Sequence, residues 1–329
     1  MGYSKEIYTA AAAALESRGK ETRRKLQHNK SVAYAAVPAL EDTERRLAAI
    51  GGRLMSEIGK GGDLQAAMKQ LEAESREVRA QMDALLAQAG FPTDFLEPQP
   101  VCGLCGDTGY LRDGLCECHR QLLTKAAQEA LRACAPAYDF AFGSFDVRLC
   151  GNEEDPASGV VPCNNMKKLL DYCRAYAEDF DLSSPSLFMH GKTGLGKTHL
   201  SLAIAMAAVE KGYGVVYGSV QTLLGKLEKE RFDKSSADHG EAEESLLGCD
   251  LLVLDDLGTE FSTSFTLAWL YNIINTRLMR NLPTIISTNL TPEELEARYA
   301  ERITSRITGC YVSLAFFGRD IRQIKSATE

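Results

Sequence analysis

Residues Gly191-Lys192-Thr193-Gly194-Leu195-Gly196-Lys197-Thr198 satisfy the pattern G-x-x-x-x-G-K-[ST], and this octapeptide constrains the fold more than any other stretch. The apolar run Leu187-Phe188-Met189-His190 precedes it and a helical pattern begins near Thr198, so the loop joins a buried strand to a helix. In that setting glycines let the backbone wrap around phosphates, while successive N–H groups and the helix N-terminus supply positive potential. Lys197 is expected to reach the β- and γ-phosphates of ATP and the Thr198 hydroxyl to ligate Mg²⁺. The nucleotide-binding set is therefore Gly191, Lys192, Thr193, Gly194, Leu195, Gly196, Lys197, Thr198 and His199. The alternative is a glycine-rich turn without a ligand.

From residue 187 onward short apolar runs alternate with helical stretches, which predicts an α/β fold with a five-stranded parallel sheet. The expected strands are 187–190, 214–219, 251–254, 284–288 and 311–316. The third ends in Asp255 and Asp256, two carboxylates at the strand edge where open α/β sheets bind ligands. Asp255 is expected to hold Mg²⁺, mainly through water, and Asp256 to orient and deprotonate the attacking water. Asn289, after the fourth strand, is placed to position the γ-phosphate or that water, with Thr288 second. Helix or strand capping is the structural alternative for all of these.

The N-terminal half reads differently. Residues 4–37 form one helix, Ala-rich and then basic, that stops at Pro38. Leu40, Leu47 and Leu54 recur every seven residues with Ile50 and Ile58 beside them, until Gly59-Lys60-Gly61-Gly62 breaks the pattern. The period resumes at Leu64, Leu71, Val78 and Leu85, supported by Met68 and Met82, and ends at Gly90 and Pro92. Two such helices predict an antiparallel hairpin. Cys102-x-x-Cys105 and Cys116-x-Cys118 then offer four thiolates to a structural Zn²⁺, with His119 as the alternative to Cys118. A redox pair is the rival, but no βαβ pattern surrounds it. Cys134, Cys150, Cys163, Cys173, Cys249 and Cys310 lack ligand spacing and read as buried or inert thiols. The expected domains are 1–97 (helical), 98–120 (zinc knuckle), 121–160 (helix and linker) and 161–329 (nucleotide-binding).

A net charge of -8 argues against a protein that coats nucleic acid by bulk electrostatics. The local exceptions are the run Arg18, Lys20, Arg23, Arg24, Lys25 and Lys30, and the polar segment holding Lys226, Lys229, Arg231 and Lys234. Both read either as solvated charge or as phosphate contacts. With no apolar stretch near 18 residues and no signal-peptide core, no membrane association and a cytoplasmic location are expected, where ten cysteines serve better as ligands and small hydrophobes than as disulfides.

The order phosphate loop, LLVLDDLG, IISTNL, ERITSRI and GRDIR resembles the AAA+ ATPases of the bacterial helicase-loader family (DnaC/DnaI type) and their relative, the IstB transposition helper, over roughly residues 138–325. The resemblance implies an AAA+ P-loop NTPase with a truncated lid, since the chain ends about a dozen residues past its last strand. It makes Arg306 the arginine finger acting on a neighbour's ATP, with Arg302 as the alternative, and Arg322 the arginine near the γ-phosphate of its own subunit. An oligomer through AAA+ interfaces follows. The phrases CGLCGDTGY and CECH resemble zinc segments ahead of the ATPase in relatives from Gram-positive bacteria. The implied function is ATP-dependent loading of a replicative hexameric helicase onto single-stranded DNA; the alternatives are an IstB-like transposase helper, a nucleotide-regulated binding module and a small-molecule P-loop kinase.

Overall fold

The computed structural model describes residues 2–58, 64–135, 140–154, 159–232 and 240–321. The expected breaker Gly59 to Gly62, Lys234 and Arg322 lie outside the described residues, as do the side chains of Leu54, Ile58 and Leu64. The chain forms two compact units, Met1–Ala12 with Arg120–Glu329, and Ala13–His119.

The smaller unit takes most of helix α1, Lys5–Ala36, which ends where Pro38 lacks an amide hydrogen to continue it. Helices α2, Ala39–Ile58, and α3, Leu64–Gln88, run antiparallel. Arg46 donates to Gln81 at 3.1 Å and Arg53 to Glu74 at 3.0 Å, so the partner number falls as the α2 number rises. Ile50, Leu71 and Val78 form the buried seam with Leu47 against it. Leu47, Ile50, Leu71 and Val78 of the seven-residue stripe thus pack within the chain, while Met68 is exposed. A second cluster gathers Ala33, Leu40, Leu86 and Leu96, with Phe91 stacked on Phe95 at 4.7 Å. Along α1, Lys20 pairs with Glu16, Arg24 with Glu21, and Lys30 with Glu44, which makes the basic run a mixed-charge face. Strands β1, Tyr110–Leu111, and β2, Gly114–Leu115, close a small antiparallel hairpin. Helix α4, Glu117–Cys134, starts earlier than the sequence pattern suggests, with Glu117 in its first turn, and takes in Cys118 and His119.

In the larger unit α5, Pro162–Glu178, leads to β3, Leu187–Gly191. Then follow α6 (Lys197–Glu210), β4 (Val215–Ser219), α7 (Val220–Phe232), α8 (Glu241–Gly248) and β5 (Leu251–Leu257). The remainder is α9 (Ser264–Met279), β6 (Thr284–Thr288), α10 (Pro292–Arg298), α11 (Glu301–Cys310) and β7 (Val312–Phe316). The five strands are parallel in the order β4-β5-β6-β3-β7. After β3 the chain crosses to the far edge and works back, so β3 sits at a switch point whose carboxyl end is open to a ligand.

Both faces of the sheet are covered, and the strands show it by alternation. Leu187, Met189, Leu251, Val253 and Ile285 pack on one side with Met166, Leu170, Leu200 and Ile204. Phe188, Leu252, Leu254 and Ile286 pack on the other with Leu224, Ile273 and Ile303. This two-sided burial is why the strands read as unbroken apolar runs. Helix α6 is apolar nearly all round and correspondingly buried.

At the end of the sheet away from the β3 loop, Arg277 of α9 is fully buried. Its guanidinium donates to the carbonyls of Leu246, Cys249 and Pro283 and to the Thr284 hydroxyl, at 2.8 to 3.0 Å. Residues 2–12 belong to this unit, where the N–H groups of Gly2 and Gly214 both donate to Asp250 Oδ2. Among the described residues no helix is long and apolar enough to cross a membrane.

Candidate functional site

The loop between β3 and α6 borders a cavity of about 1000 Å³ at the carboxyl end of the sheet. Thr193 to His199, Tyr217, Asp255, Asp256 and Asn289 line it, together with Phe145 and Lys226. Gly196 adopts φ +91, and a Cβ there would lie 2.4 Å from the Phe145 ring, so both backbone and space require glycine. Lys197, 5% exposed, donates to the carbonyls of Gly191 and Lys192 at 2.6 and 2.8 Å and to Asn289 Oδ1 at 2.8 Å. Gly191 and Lys192 thus meet the lysine through their carbonyls and do not themselves line the cavity. His199 turns to the Ala141 carbonyl at 3.1 Å and sits edge-on to Phe145 at 5.3 Å.

Asp255 is buried, and its two oxygens are held separately. Thr198 Oγ1 donates to Oδ1 at 3.2 Å and Ser287 Oγ donates to the same oxygen; the Tyr217 hydroxyl donates to Oδ2 at 2.7 Å. Asp256 has φ +54, a left-handed conformation uncommon outside glycine and typical of functional sites. Its Oδ1 accepts from Asn289 Nδ2 at 3.3 Å. Thr288 is buried and bonds the Leu257 carbonyl, which makes it a link between strands.

Tyr217 and Ser287 went unnoticed in the sequence. The signal was present as two polar residues in otherwise apolar strands, each near the carboxyl end. His190 is a third: its Nε2 lies 3.0 Å from Ser313 Oγ, and burial, followed by the charge of Lys197, pushes its imidazole down from the usual value.

Arg306 and Arg302 do not line the cavity. Arg306 donates to Asn275 Oδ1 at 2.9 Å, the Arg302 carbonyl at 2.6 Å and the Tyr271 hydroxyl at 3.2 Å. Both guanidinium carbons stand 4.9 Å from the Tyr271 ring centre. Of the cysteines read as buried or inert, Cys134 and Cys310 are exposed, and Cys134 lines the cavity. Cys134 ends α4 and Cys310 ends α11, where a side chain has left the packed face.

In the smaller unit the sulfurs of Cys102, Cys105, Cys116 and Cys118 all lie within 4.8 Å of one another. Cys102 and Cys116 are 3.8 Å apart, Cys105 and Cys118 3.4 Å. Tetrahedral zinc with Zn–S of about 2.3 Å requires S···S near 3.8 Å, so the group fits the ion. His119 stands outside it: its ring is edge-on to Tyr110 at 5.3 Å, and both its nitrogens lack a hydrogen-bond partner among the described residues. Gly109, at φ +77, leaves no room for a Cβ against Leu15 and that ring. Asp107 shapes the loop by accepting from the N–H groups of Val101 and Cys102, both at 2.9 Å, and from Thr22 at 3.2 Å. Burial pushes its carboxyl up, but those donors and the Arg18 charge outweigh this and hold it below the usual carboxylate range.

Fold and site together define an α/β protein of the P-loop nucleotide-binding class. Residues 177–307 match the family described as IstB-like ATP binding protein. The replicative helicase loader DnaC of Escherichia coli K12 is 29% identical over 147 residues, covering 45% of this chain and 60% of the loader. The chain thus spans about three fifths of the length of the curated relatives it matches. A crystal structure of the DnaC helicase loader is similar at 25% identity and TM-score 0.42, over 46% of this chain and 90% of that one. The crystal structure of DnaI gives 21% and 0.44, over 59% and 99%.

Proposed function

We propose that this chain is an ATP-dependent loader of a replicative helicase, acting as an oligomer on single-stranded DNA. The observation that carries the reading is the hydrogen-bonded group Lys197, Thr198, Asp255, Asp256 and Asn289 in a segment related to a replicative helicase loader. Lys197 exchanges its loop carbonyls for the β- and γ-phosphates, and Thr198 with Asp255 would hold Mg²⁺, which offsets charge on the phosphates when bound. Asp256 accepts a proton from the attacking water while Asn289 orients it, giving ADP and phosphate. Arg306 does not line the cavity of its own chain and is assigned to a neighbour's ATP; Arg322 is assigned to the γ-phosphate of its own subunit.

The smaller unit is proposed to grip the helicase. Zinc held by Cys102, Cys105, Cys116 and Cys118 would act as a rigid cross-link without an open coordination position. Around it Val101, Leu104, Tyr110 and Leu111 are exposed apolar side chains, which supports contact with a protein. A second reading, an ATPase helper of a transposase, is favoured by the family description alone. The test is a pull-down of the host's replicative helicase with the full chain, with and without ATP. Nucleotide-dependent retention is expected; retention of a transposase and not of the helicase decides for the second reading.

A further inference from the structure

Consecutive side chains of a regular strand point to opposite faces, so Asp255 and Asp256 cannot both reach one cavity without a break in the pleat. The break is present. Leu254 pairs with Ile286 and Leu257 with Thr288, three positions along β5 against two along β6, so one residue of β5 is extra. The residue with the left-handed backbone in that bulge is Asp256.

Ser287 lies opposite the bulge and is completely buried. Its hydroxyl oxygen accepts the Asp256 N–H at 3.0 Å while its hydrogen is given to Asp255 Oδ1. A hydroxyl has one donor and two acceptor sites, so a single atom serves both aspartates at once. From the next strand, Tyr217 takes the other oxygen of Asp255. Together with Thr198 of α6, three hydroxyls from three elements fix one carboxylate.

We infer that Ser287 and Tyr217 are positioning residues that divide the labour of the acidic pair. Both orient Asp255 toward Thr198, and Ser287 alone also holds the bulge that turns Asp256 to Asn289. The inference rests on the proposed ATP hydrolysis, and on the geometry above for its particulars.

It is tested on the full chain with Tyr217→Phe, Ser287→Ala and Ser287→Thr, by titrating Mg²⁺ into a fluorescent ATP analogue and into steady-state hydrolysis assays. In EDTA the Ser287 variants should bind the analogue as the wild type does, because the β3–α6 loop is untouched. The Mg²⁺ midpoint should rise about tenfold in Tyr217→Phe and Ser287→Ala, each having lost one hydrogen bond to a charged group. Only Ser287→Ala should also lose about tenfold or more in kcat at saturating Mg²⁺, and Ser287→Thr should recover it. This split between midpoint and kcat is not what general loosening of the sheet produces.

Wild-type Mg²⁺ midpoints in both Tyr217→Phe and Ser287→Ala overturn the inference. Should Ser287→Ala melt before assay, Tyr217→Phe keeps the ring packing, and an unshifted midpoint there overturns the clamp. A wild type that binds the analogue without hydrolysing it removes the ATPase reading, while the binding midpoints still decide the clamp.

Discussion

Lys197 in the larger unit and Asp107 in the smaller are both buried charges whose partners include backbone atoms of a tight loop. Behind Lys197 stand a strand paired on both sides and a helix buried nearly all round, so the loop ends are fixed by hydrogen bonds and apolar packing. Behind Asp107 stand a two-residue hairpin and four sulfurs. A loop carried by a large core keeps its shape without a ligand. One carried by a short hairpin depends on whatever links its cysteines.

The largest test of that contrast is metal removal. Structural zinc contributes on the order of 10 kcal/mol to a small domain. Chelation, or Cys102→Ser with Cys105→Ser, should therefore strip amide protection across residues 101–119 in hydrogen exchange of the full chain. The affinity for ATP should not change. Protein purified without chelator should hold about one zinc per chain by elemental analysis, and its absence would break the comparison on the cysteine side.

Lys197→Ala is the mirror experiment. Losing a charged contact to phosphate should weaken ATP binding on the order of a hundredfold in titration calorimetry, with zinc content intact. Equal affinity in variant and wild type would sink the phosphate assignment.

A smaller effect separates the cysteines from the shell that orients them. Asp107→Ala should lower zinc affinity roughly 10- to 100-fold in competition with a chelator, as loss of an outer-shell partner does. An unchanged affinity would mean that the sulfurs alone set the loop. Smallest of all, Arg53→Ala removes an exposed pair with Glu74 and should cost less than about 1 kcal/mol in a thermal melt. A larger loss would transfer the stability of the helical hairpin from its apolar seam to its rim.

The strands were legible because two-sided burial leaves apolar runs, as in Leu251 to Leu254 and Ile285 to Ile286. The end of β5 was not, since it continues to Leu257 through a bulge whose cause, Ser287, lies 31 residues away. Periodicity reports the face a side chain prefers and is silent on a partner strand. Lys197, Thr198, Asp255, Asp256 and Asn289 stood out as motif residues, whereas Tyr217 acquires its place only from the pairing of β4 with β5. The start of α4 is hidden for a similar reason: metal-ligand spacing points to a loop, while Cys118 is already helical. Exposure of Cys134 and Cys310 depends on where a helix leaves the core, which spacing alone does not record.

Arg277 has a consequence for how the sheet opens. A guanidinium keeps its charge at every pH at which proteins fold, so it cannot lose its bonds one at a time and become neutral. Its acceptors are Leu246 in α8, Cys249 in the turn from α8 to β5, Pro283 just before β6 and Thr284 at its start, while the side chain itself rides on α9. Detaching any one of these elements breaks bonds of a buried cation and leaves polar groups unpaired in an apolar interior, at a cost of about 1–3 kcal/mol or more. These four elements should therefore exchange their amide hydrogens as one cooperative block, with fraying confined to parts of the unit that the guanidinium does not touch.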